Sequence, residues 1–193
     1  MPDKILNAGG NYYHAISSKF LNRPLGELLE LGGHDRGQGW ASERRFAHPS
    51  GGKYFSDSPA GAIAEIQTRF RESNIKGLPA SDILPYSIFE ISLESNQDVL
   101  SVTMALADEA CRDEFVQRYH VEPADTVDEA DRDGSRMASR VVSSQLDRER
   151  YAGIEYPSVR LAGASNVVFH YPLSVIDLLQ LSDNPFITYL PTL

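Results

Sequence analysis

The stretch that decides the fold runs from Trp40 to Phe70 and reads WASERRFAHPSGGKYFSDSPAGAIAEIQTRF. It contains an arginine pair, a Pro-Ser-Gly-Gly turn and a short aromatic segment, Tyr54–Ser56, whose residues favour a strand. Ser58 and Pro59 mark the start of a helix, because serine is a favoured N-cap and proline loses no hydrogen bond at the first helical position. We therefore predict a turn, a strand and a helix in close succession.

The predicted helix has one apolar side. Ile63, Ile66 and Phe70 are spaced at i, i+3 and i+7, which predicts a single buried stripe. Glu65 lies two positions after Ile63, about 200° around the helix, so its carboxylate points away from the stripe. It faces either water or a cleft, and a solvated surface glutamate is the more common case.

Length and composition are those of an ordinary globular protein. The chain has 193 residues, of which 41% are hydrophobic and 23% charged, and this predicts a single domain over residues 1–193 with a sizeable core. The formal net charge of −9 argues against direct nucleic-acid binding, which needs a basic face to meet phosphates. One local basic pocket for an anionic ligand is still compatible with this charge.

The sequence carries no sign of a metal site or a membrane segment. Cys111 is the only cysteine, so neither an intrachain disulfide nor a multi-thiolate metal site can form. The five histidines show no close metal-ligand spacing, and we expect no metal. There is no apolar run of about 18 residues, and the N-terminus lacks the basic and apolar pattern of a signal peptide. We expect no membrane contact and a cytoplasmic location.

The remaining chain predicts a coarse order of elements. Residues 1–10 are interpreted as a loose lead-in, and Glu122–Asp133, with six acidic residues and one arginine, as a solvated acidic loop. The apolar tail beyond Pro172 is expected to pack back onto the domain. The predicted strands are Tyr12–Ser17, the half-buried Tyr86–Leu93 and Val99–Thr103. The predicted helices are Leu25–Leu31, Met104–Tyr119 and a helix capped by Ser135 that ends near Arg150.

A second informative stretch, Tyr151–Arg160, reads YAGIEYPSVR and is followed by Asn166–Tyr171, NVVFHY. Two β-like runs joined by a short glycine-containing turn predict a hairpin. No HExxH, Walker or dinucleotide-binding motif is present, and no nucleophile elbow surrounds a serine. A Rossmann dehydrogenase and a Ser-His-Asp hydrolase are therefore not supported.

Together the two stretches resemble the RES family, which is named for its arginine, glutamate and serine. The first block, about residues 34–70, has an arginine, then Tyr-x-Ser, then proline followed by Ala-x-Ala-Glu. The second block, about residues 137–171, has Gly-Ile-x-Tyr-Pro-Ser and an Asn-(apolar)₂-Phe strand. The resemblance implies an α+β fold similar to that of ADP-ribosyltransferases: one domain with a split, mostly antiparallel sheet and surrounding helices around an NAD cleft.

The resemblance also implies a function. RES proteins are the toxins of bacterial toxin–antitoxin pairs and consume NAD. This implies an enzyme that cleaves the nicotinamide–ribose bond of its substrate NAD by phosphorolysis or hydrolysis, without a prosthetic group. The alternatives are an ADP-ribosyltransferase that modifies a protein and, in another class, a non-catalytic partner-binding protein that keeps the fold. The implied partner is a small Xre-like helix-turn-helix antitoxin, with the chain in a hetero-oligomer with that antitoxin or in a homo-oligomer.

The family's pattern assigns roles to residues of both blocks. Glu65 is put near the ribose, where a carboxylate stabilises the oxocarbenium-like sugar of the cleavage step. Arg45, with Arg44 as the alternative, is put on the pyrophosphate, whose oxygens suit a planar guanidinium. Tyr54 can stack on a ring or donate its hydroxyl, and Ser158 can hydrogen-bond the nicotinamide amide or a phosphate.

Two positions depart from the family's pattern. Many members carry a further arginine on the first strand, where this chain has Tyr12-Tyr13-His14; His14 is the candidate replacement, with Arg23 and Arg36 as alternatives. The family's Gly-Arg-Trp-Asn-like run is here Arg45-Phe46-Ala47-His48, so the first block lacks that asparagine. Asn166, at the start of the matching strand in the second block, is also expected to bind NAD.

Overall fold

The computed structural model describes residues 2–17, 45–46, 52–65, 67, 86–170 and 179–189. Within these ranges the chain forms one eight-stranded sheet in the order β1-β5-β6-β7-β3-β2-β4-β8. The strands are β1 (Asp3–Leu6), β2 (Asn11–Ser17), β3 (Gly52–Ser56), β4 (Tyr86–Leu93), β5 (Gln97–Ser101), β6 (Gly153–Pro157), β7 (Ser165–His170) and β8 (Leu179–Tyr189). The helices are α1 (59–65), α2 (Val102–Ala107), α3 (Glu109–Tyr119) and α4 (Arg132–Ser144), with a 3₁₀ turn at Ala124–Thr126.

The sheet is antiparallel apart from one pair. Strands β5 and β6 run parallel, and the other pairs run antiparallel. Strands β2 and β3 meet through a single registered pair, Tyr13 opposite Ser56. The β2–β3 junction therefore has the fewest paired residues in the sheet and divides it into two parts. One part contains β1, β5, β6, β7 and β3, and the other contains β2, β4 and β8. This matches the predicted split, mostly antiparallel α+β fold.

One side of the sheet, which we call the helix face, packs against α2, α3 and α4. Apolar residues from strands and helices meet there in one cluster: Phe46, Leu100, Val102, Ala105, Phe115, Tyr119, Val142, Leu146, Tyr151, Ile154, Tyr156 and Val168. Side chains alternate along a strand, so Phe55, Val167 and Phe169 lie on the opposite face, where they are also buried. The sheet is covered on both sides along its central strands.

Several sequence predictions are confirmed. Strand β4 has the predicted bounds, and β6 and β7 form the predicted antiparallel hairpin. Ser58 caps α1, because its Oγ accepts a hydrogen bond from the Gly61 amide at 3.1 Å. The apolar tail packs back as β8, which pairs with β4.

The continuous helix predicted over Met104–Tyr119 is wrong. The chain breaks at Asp108, whose backbone is extended (φ −129°, ψ 126°) and which ends α2 and begins α3. Its carboxylate accepts from the Cys111 amide at 2.8 Å. Aspartate side chains compete with the helix for backbone N–H groups. The prediction is based on the spacing of apolar residues, which carries no information about such a side-chain cap.

The N-terminal segment and the end of β5 also differ from expectation. Residues 3–6, interpreted as a loose lead-in, form β1 and pair with β5. Strand β5 ends at Ser101, not at Thr103, because the Ser101 hydroxyl accepts from the Met104 amide at 3.1 Å and caps α2.

The predicted cap of α4 is wrong by four residues. Asp131 is the N-cap, accepting from the Gly134 amide at 3.0 Å. Ser135 lies inside the helix, and α4 ends at Ser144 rather than near Arg150. Three of the four buried side chains of α4 are serines, whose small size allows the helix to lie close to its neighbours. Met137, by contrast, is 68% exposed. The buried side of α4 consists of Ser135, Ser139, Val142 and Ser143.

The acidic segment Glu122–Asp133 is more than the solvated loop predicted. It contains the 3₁₀ turn, and Thr126 is fully buried with its hydroxyl donating to the Pro123 carbonyl at 2.6 Å. Glu129 is held by ion pairs. Local charge density indicated solvation, but it carried no information about these distant cationic partners.

Some predictions fall outside the described residues. These are the helix Leu25–Leu31 and the side chains of Arg23, Arg36, Arg44, Ile66 and Phe70. Of the predicted stripe on α1, Ile63 is described and is half-buried. No helix in the described ranges is long and apolar enough to cross a bilayer.

Gly153 provides a test of the sheet's packing. A Cβ built on Gly153 would lie 2.0 Å from the Val168 carbonyl oxygen on β7. We expect Gly153→Ala to lower the free energy of unfolding by about 3 kcal/mol, because backbone in mid-sheet cannot yield cheaply. Gly163→Ala is the control: φ is +84° there and nothing lies within 4 Å, so only about 1–2 kcal/mol of left-handed strain applies. Equal losses in urea unfolding would contradict the steric argument.

Candidate active site

Two of the predicted site residues project from neighbouring strands onto the helix face. Tyr54 on β3 lies opposite Val168, and Asn166 on β7 lies opposite Ser56. Tyr54 and Asn166 are therefore diagonal neighbours, with Cα atoms about 7–8 Å apart. Asn166 also lies opposite Tyr156 of β6 and is buried. The register of three strands thus brings residues from both sequence blocks together.

The beginning of α1 positions Glu65 above this part of the sheet. Gly61 packs so closely on the end of β3 that a Cβ there would lie 2.0 Å from the Ser56 Oγ. One turn later, the half-buried Glu65 accepts a hydrogen bond through Oε1 from the Asn166 Nδ2 at 3.4 Å. The sequence predicted that this carboxylate faces either water or a cleft; in the structure it is half-buried and lies beside the buried Asn166 amide.

Arg45 and Phe46 are tied to the same face through their backbone. The Tyr54 hydroxyl donates to the Arg45 carbonyl at 3.0 Å, and the His170 Nε2 bonds the Phe46 carbonyl at 3.1 Å. Phe46 is fully buried, lies 4.8 Å from the Tyr156 ring and has a left-handed backbone (φ 55°). Such backbone strain in a non-glycine residue persists only where the surroundings hold it, and here the burial of Phe46 and the bond from His170 to its carbonyl do so.

The Arg45 guanidinium extends to α4 and the acidic segment. Its Nε donates to the Ser135 hydroxyl at 2.9 Å, and its NH2 group donates to the Asp128 carbonyl at 3.1 Å. The same NH2 group forms an ion pair with Glu129 Oε1. The second carboxylate oxygen of Glu129 lies 2.8 Å from the Arg160 guanidinium. The arginine predicted to bind a pyrophosphate is thus paired with a carboxylate of its own chain.

Ser158 follows β6 and organises the turn of the hairpin. Its hydroxyl oxygen accepts from the amides of Arg160 and Leu161, both at 3.2 Å, and its own amide donates to the Ala164 carbonyl at 2.8 Å. It is 8% exposed. These bonds define a turn-forming role, and contact with NAD stays a prediction for this residue.

His14 is not brought together with the other predicted residues. Its ring packs on Phe55 and Phe89, with centroids 5.6 and 5.3 Å away, on the face opposite to Tyr54 and Asn166. Its Nδ1 bonds the Tyr54 carbonyl at 2.6 Å. The neighbouring Tyr13 of β2 is paired with Ser56 and lies on the helix face. Burial, followed by the charge of Glu90, raises the pKa of Tyr13.

A second carboxylate, Glu155, lies on the opposite face and is structural in its contacts. It is 2% exposed and accepts from Ser101 at 2.6 Å, Thr103 at 2.9 Å and Lys4 at 3.2 Å. A buried carboxylate is tolerated when it is paired and hydrogen-bonded in this way. Burial, followed by the Glu155 charge, raises the pKa of Tyr12 to about 12. The contacts of Glu155 therefore link β1, β5 and β6, and this carboxylate is not part of the candidate site.

The arrangement thus contains a carboxylate, Glu65, beside the Asn166 amide, and a guanidinium, Arg45, paired with Glu129. Among the described residues, no cluster of histidine, cysteine, aspartate or glutamate could hold a metal ion. Sequence reasoning missed Glu129 and Arg160 as neighbours of Arg45. Arg160 ends the quoted second stretch, but Glu129 had no signal beyond its acidic neighbours.

The contact between α1 and β3 can be tested through Gly61. Glycine-to-alanine changes in helices usually stabilise by about 1 kcal/mol, but here the new methyl would overlap the Ser56 hydroxyl. We expect Gly61→Ala to lower the free energy of unfolding by about 1–2 kcal/mol and Ser56→Ala to relieve much of that loss. A double-mutant cycle by urea unfolding measures the coupling. Equal cost in both backgrounds would mean that the overlap is not the cause.

The chain was compared with known families and structures. It matches the RES domain family over residues 21–184. It is similar in fold to a chain in the crystal structure of the M. tuberculosis MbcT–MbcA toxin–antitoxin complex, with a TM-score of 0.52 and 16% identity over 96% of this chain and 86% of that chain. A search of curated proteins finds no significant match. Since the family match spans most of the sequence, this protein belongs to the RES domain family.

Proposed function

We propose that this protein is the toxin of a bacterial toxin–antitoxin pair and consumes NAD by breaking its nicotinamide–ribose bond. The observation that carries the proposal is the Glu65 carboxylate held by Asn166 at 3.4 Å on the sheet face that also holds Tyr54 and Arg45. Membership of the RES family supports the same conclusion. NAD is the substrate, and the reaction needs no prosthetic group.

The chemistry assigns Glu65 to the sugar. When the bond from the ribose C1′ to the pyridinium nitrogen breaks, its electron pair leaves with nicotinamide and positive charge develops on the ribose. The Glu65 carboxylate stabilises this charge electrostatically, and its Oε2 accepts a hydrogen bond from a ribose hydroxyl. Asn166 orients the carboxylate through Oε1. The acceptor oxygen then forms the new bond to C1′ and loses its proton.

The remaining predicted residues bind the rest of the substrate. Arg45 contacts the pyrophosphate through its guanidinium, with Arg44 as the alternative, and the Tyr54 ring stacks on a base or sugar of the substrate. Ser158 donates its hydroxyl to the nicotinamide amide or to a phosphate.

Three acceptors complete the same bond cleavage: phosphate, water and a protein side chain. Each yields nicotinamide, and the second product differs: ADP-ribose 1″-phosphate, free ADP-ribose or an ADP-ribosylated protein. Mass spectrometry of NAD incubated with the purified chain, with and without phosphate and lysate protein, separates the three. NAD that stays intact with all three acceptors would favour the non-catalytic, partner-binding alternative.

We also propose a protein partner that restrains the enzyme. A chain that drains NAD in the cytoplasm would poison its own cell, so restraint by a bound antitoxin is expected. The similar fold in the MbcT–MbcA toxin–antitoxin complex supports such a partner. We assign this role to a small Xre-like helix-turn-helix protein. The helix-turn-helix domain of that protein, and not this chain, contacts DNA. The net charge of −9 favours a basic surface on it and fast encounter.

Glu65→Gln tests the catalytic carboxylate. The variant keeps its shape and its bond to Asn166 but loses the negative charge, so we expect nicotinamide release to fall about 10²–10³-fold with an unchanged melting temperature. Glu94→Gln, an exposed change of the same type in the turn after β4, is the matched control and should keep full activity. Retention of more than about a tenth of the wild-type rate would move the catalytic carboxylate elsewhere.

Growth of a bacterial host tests the toxin assignment. Expression of the wild-type chain alone should stop growth and lower cellular NAD, because no antitoxin is present to close the site. The Glu65→Gln variant should be harmless, and co-expression of the cognate antitoxin should restore growth of cells that make the wild type. Normal growth with the wild type at equal expression would rule out a toxin of this kind.

A further inference from the structure

The most unusual charge arrangement in the described structure is Glu129 between two arginines. Its Oε1 pairs with Arg45 and its Oε2 lies 2.8 Å from Arg160. The arginine side chains are 13% and 20% exposed, and that of Glu129 is 33% exposed. Two partly shielded guanidinium groups thus share the Glu129 carboxylate.

Both arginines have anchors that do not depend on Glu129. Arg45 is held by the buried Ser135 hydroxyl at 2.9 Å, and Ser135 is in turn fixed by donating to the Thr126 carbonyl at 2.9 Å. The backbone of Arg160 is held by the Ser158 hydroxyl at 3.2 Å. The pair of guanidinium groups is therefore preorganised at a junction of α4 and the β6–β7 turn.

The segment that carries Glu129 is more exposed to solvent than the two arginine side chains. Its neighbours Asp128, Ala130 and Asp131 are exposed, and a local bond from the Ala130 amide to the Asp128 carboxylate at 2.8 Å shapes the turn. Glu129 also lines two surface clefts of about 380 and 480 Å³, which it shares with other carboxylates of the segment and not with Arg45 or Arg160. A rotation of this one side chain toward water would break both ion pairs without unpacking the core.

We propose that Arg45 and Arg160 form a phosphate-binding site and that Glu129 occupies it as an internal competitor until a phosphate group displaces it. A phosphate group offers more acceptor oxygens than a carboxylate, and planar guanidinium groups bind such oxygens in paired hydrogen bonds. Arg160 thereby becomes the second arm of the site for which only Arg45 or Arg44 was predicted. The inference deepens the proposed function, on which it rests for the identity of the ligand as the pyrophosphate of NAD or an inorganic phosphate acceptor.

When Glu129 occupies the site, phosphate cannot bind. The apparent affinity for phosphate is therefore the intrinsic affinity multiplied by the fraction of molecules in which Glu129 has left the site. A partly exposed ion pair is worth a modest free energy, so removal of the Glu129 charge should tighten inorganic pyrophosphate binding by about three- to tenfold. The effect should shrink as salt rises, since exposed charges are screened.

The test compares Glu129→Gln with Glu122→Gln by titration calorimetry with inorganic pyrophosphate. Glu122 lies in the same acidic segment and pairs with the exposed Arg112 at 2.9 Å, so its variant makes the same charge change away from the arginine pair. We expect tighter binding for Glu129→Gln alone, and loss of that gain when Arg160→Gln is added. Equal affinities of Glu129→Gln and Glu122→Gln would overturn the proposal.

A second measurement covers the case in which Glu129→Gln fails to fold. Arg160→Gln in the otherwise wild-type chain should weaken pyrophosphate binding at least about fivefold, because one arm of the site is lost; unchanged binding overturns the proposal. Parallel titrations with inorganic phosphate and with ADP-ribose show which phosphate source the site prefers. Tighter pyrophosphate binding in a chain that leaves NAD intact would refute the proposed function alone. NAD cleavage without any gain in Glu129→Gln would refute this inference alone.

Discussion

The structure depends on how closely β7 is held between its two neighbours. A Cβ built on Gly52 of β3 would lie 2.7 Å from the Val168 side chain, and one built on Gly153 of β6 would lie 2.0 Å from the Val168 carbonyl oxygen. The absence of side chains at these two positions lets three strands approach without a shift of register. That register sets Asn166 opposite both Ser56 and Tyr156, and the site is built around this row.

Caps, close packing and backbone hydrogen bonds position the polar groups of the site, in addition to the ion pair between Arg45 and Glu129. Glu65 reaches Asn166 because Ser58 determines where α1 begins and Gly61 determines how near the helix lies to β3. Arg45 is oriented through the backbone, since the Tyr54 hydroxyl holds its carbonyl and the next residue is buried in the core. Such preorganisation matters for catalysis, because groups that are already oriented need no rearrangement when charge develops.

Acidic residues serve two different purposes in this chain. Most of the negative charge in the segment Glu122–Asp133 is solvent-exposed and suits encounter with a basic partner. Glu129 is different, because it is shared between Arg45 and Arg160 and lies with them between α4 and the hairpin turn. One segment therefore joins the exposed acidic surface to the Arg45–Arg160 pair.

The sequence by itself determined the features that local patterns encode. Alternation fixed the bounds of β4, the glycine turn predicted the β6–β7 hairpin, and Ser58-Pro59 marked the start of α1. The family resemblance added the expectation that Glu65 and the second block share a site. Only the tertiary structure decided which distant residues meet: Glu65 with Asn166, 101 positions apart, and Arg45 with Glu129, 84 positions apart. It also put His14 on the opposite face and Tyr13 on the helix face. Periodicity reports on neighbours a few residues away, whereas these contacts follow from strand register and the close approach of backbones, which no local pattern contains.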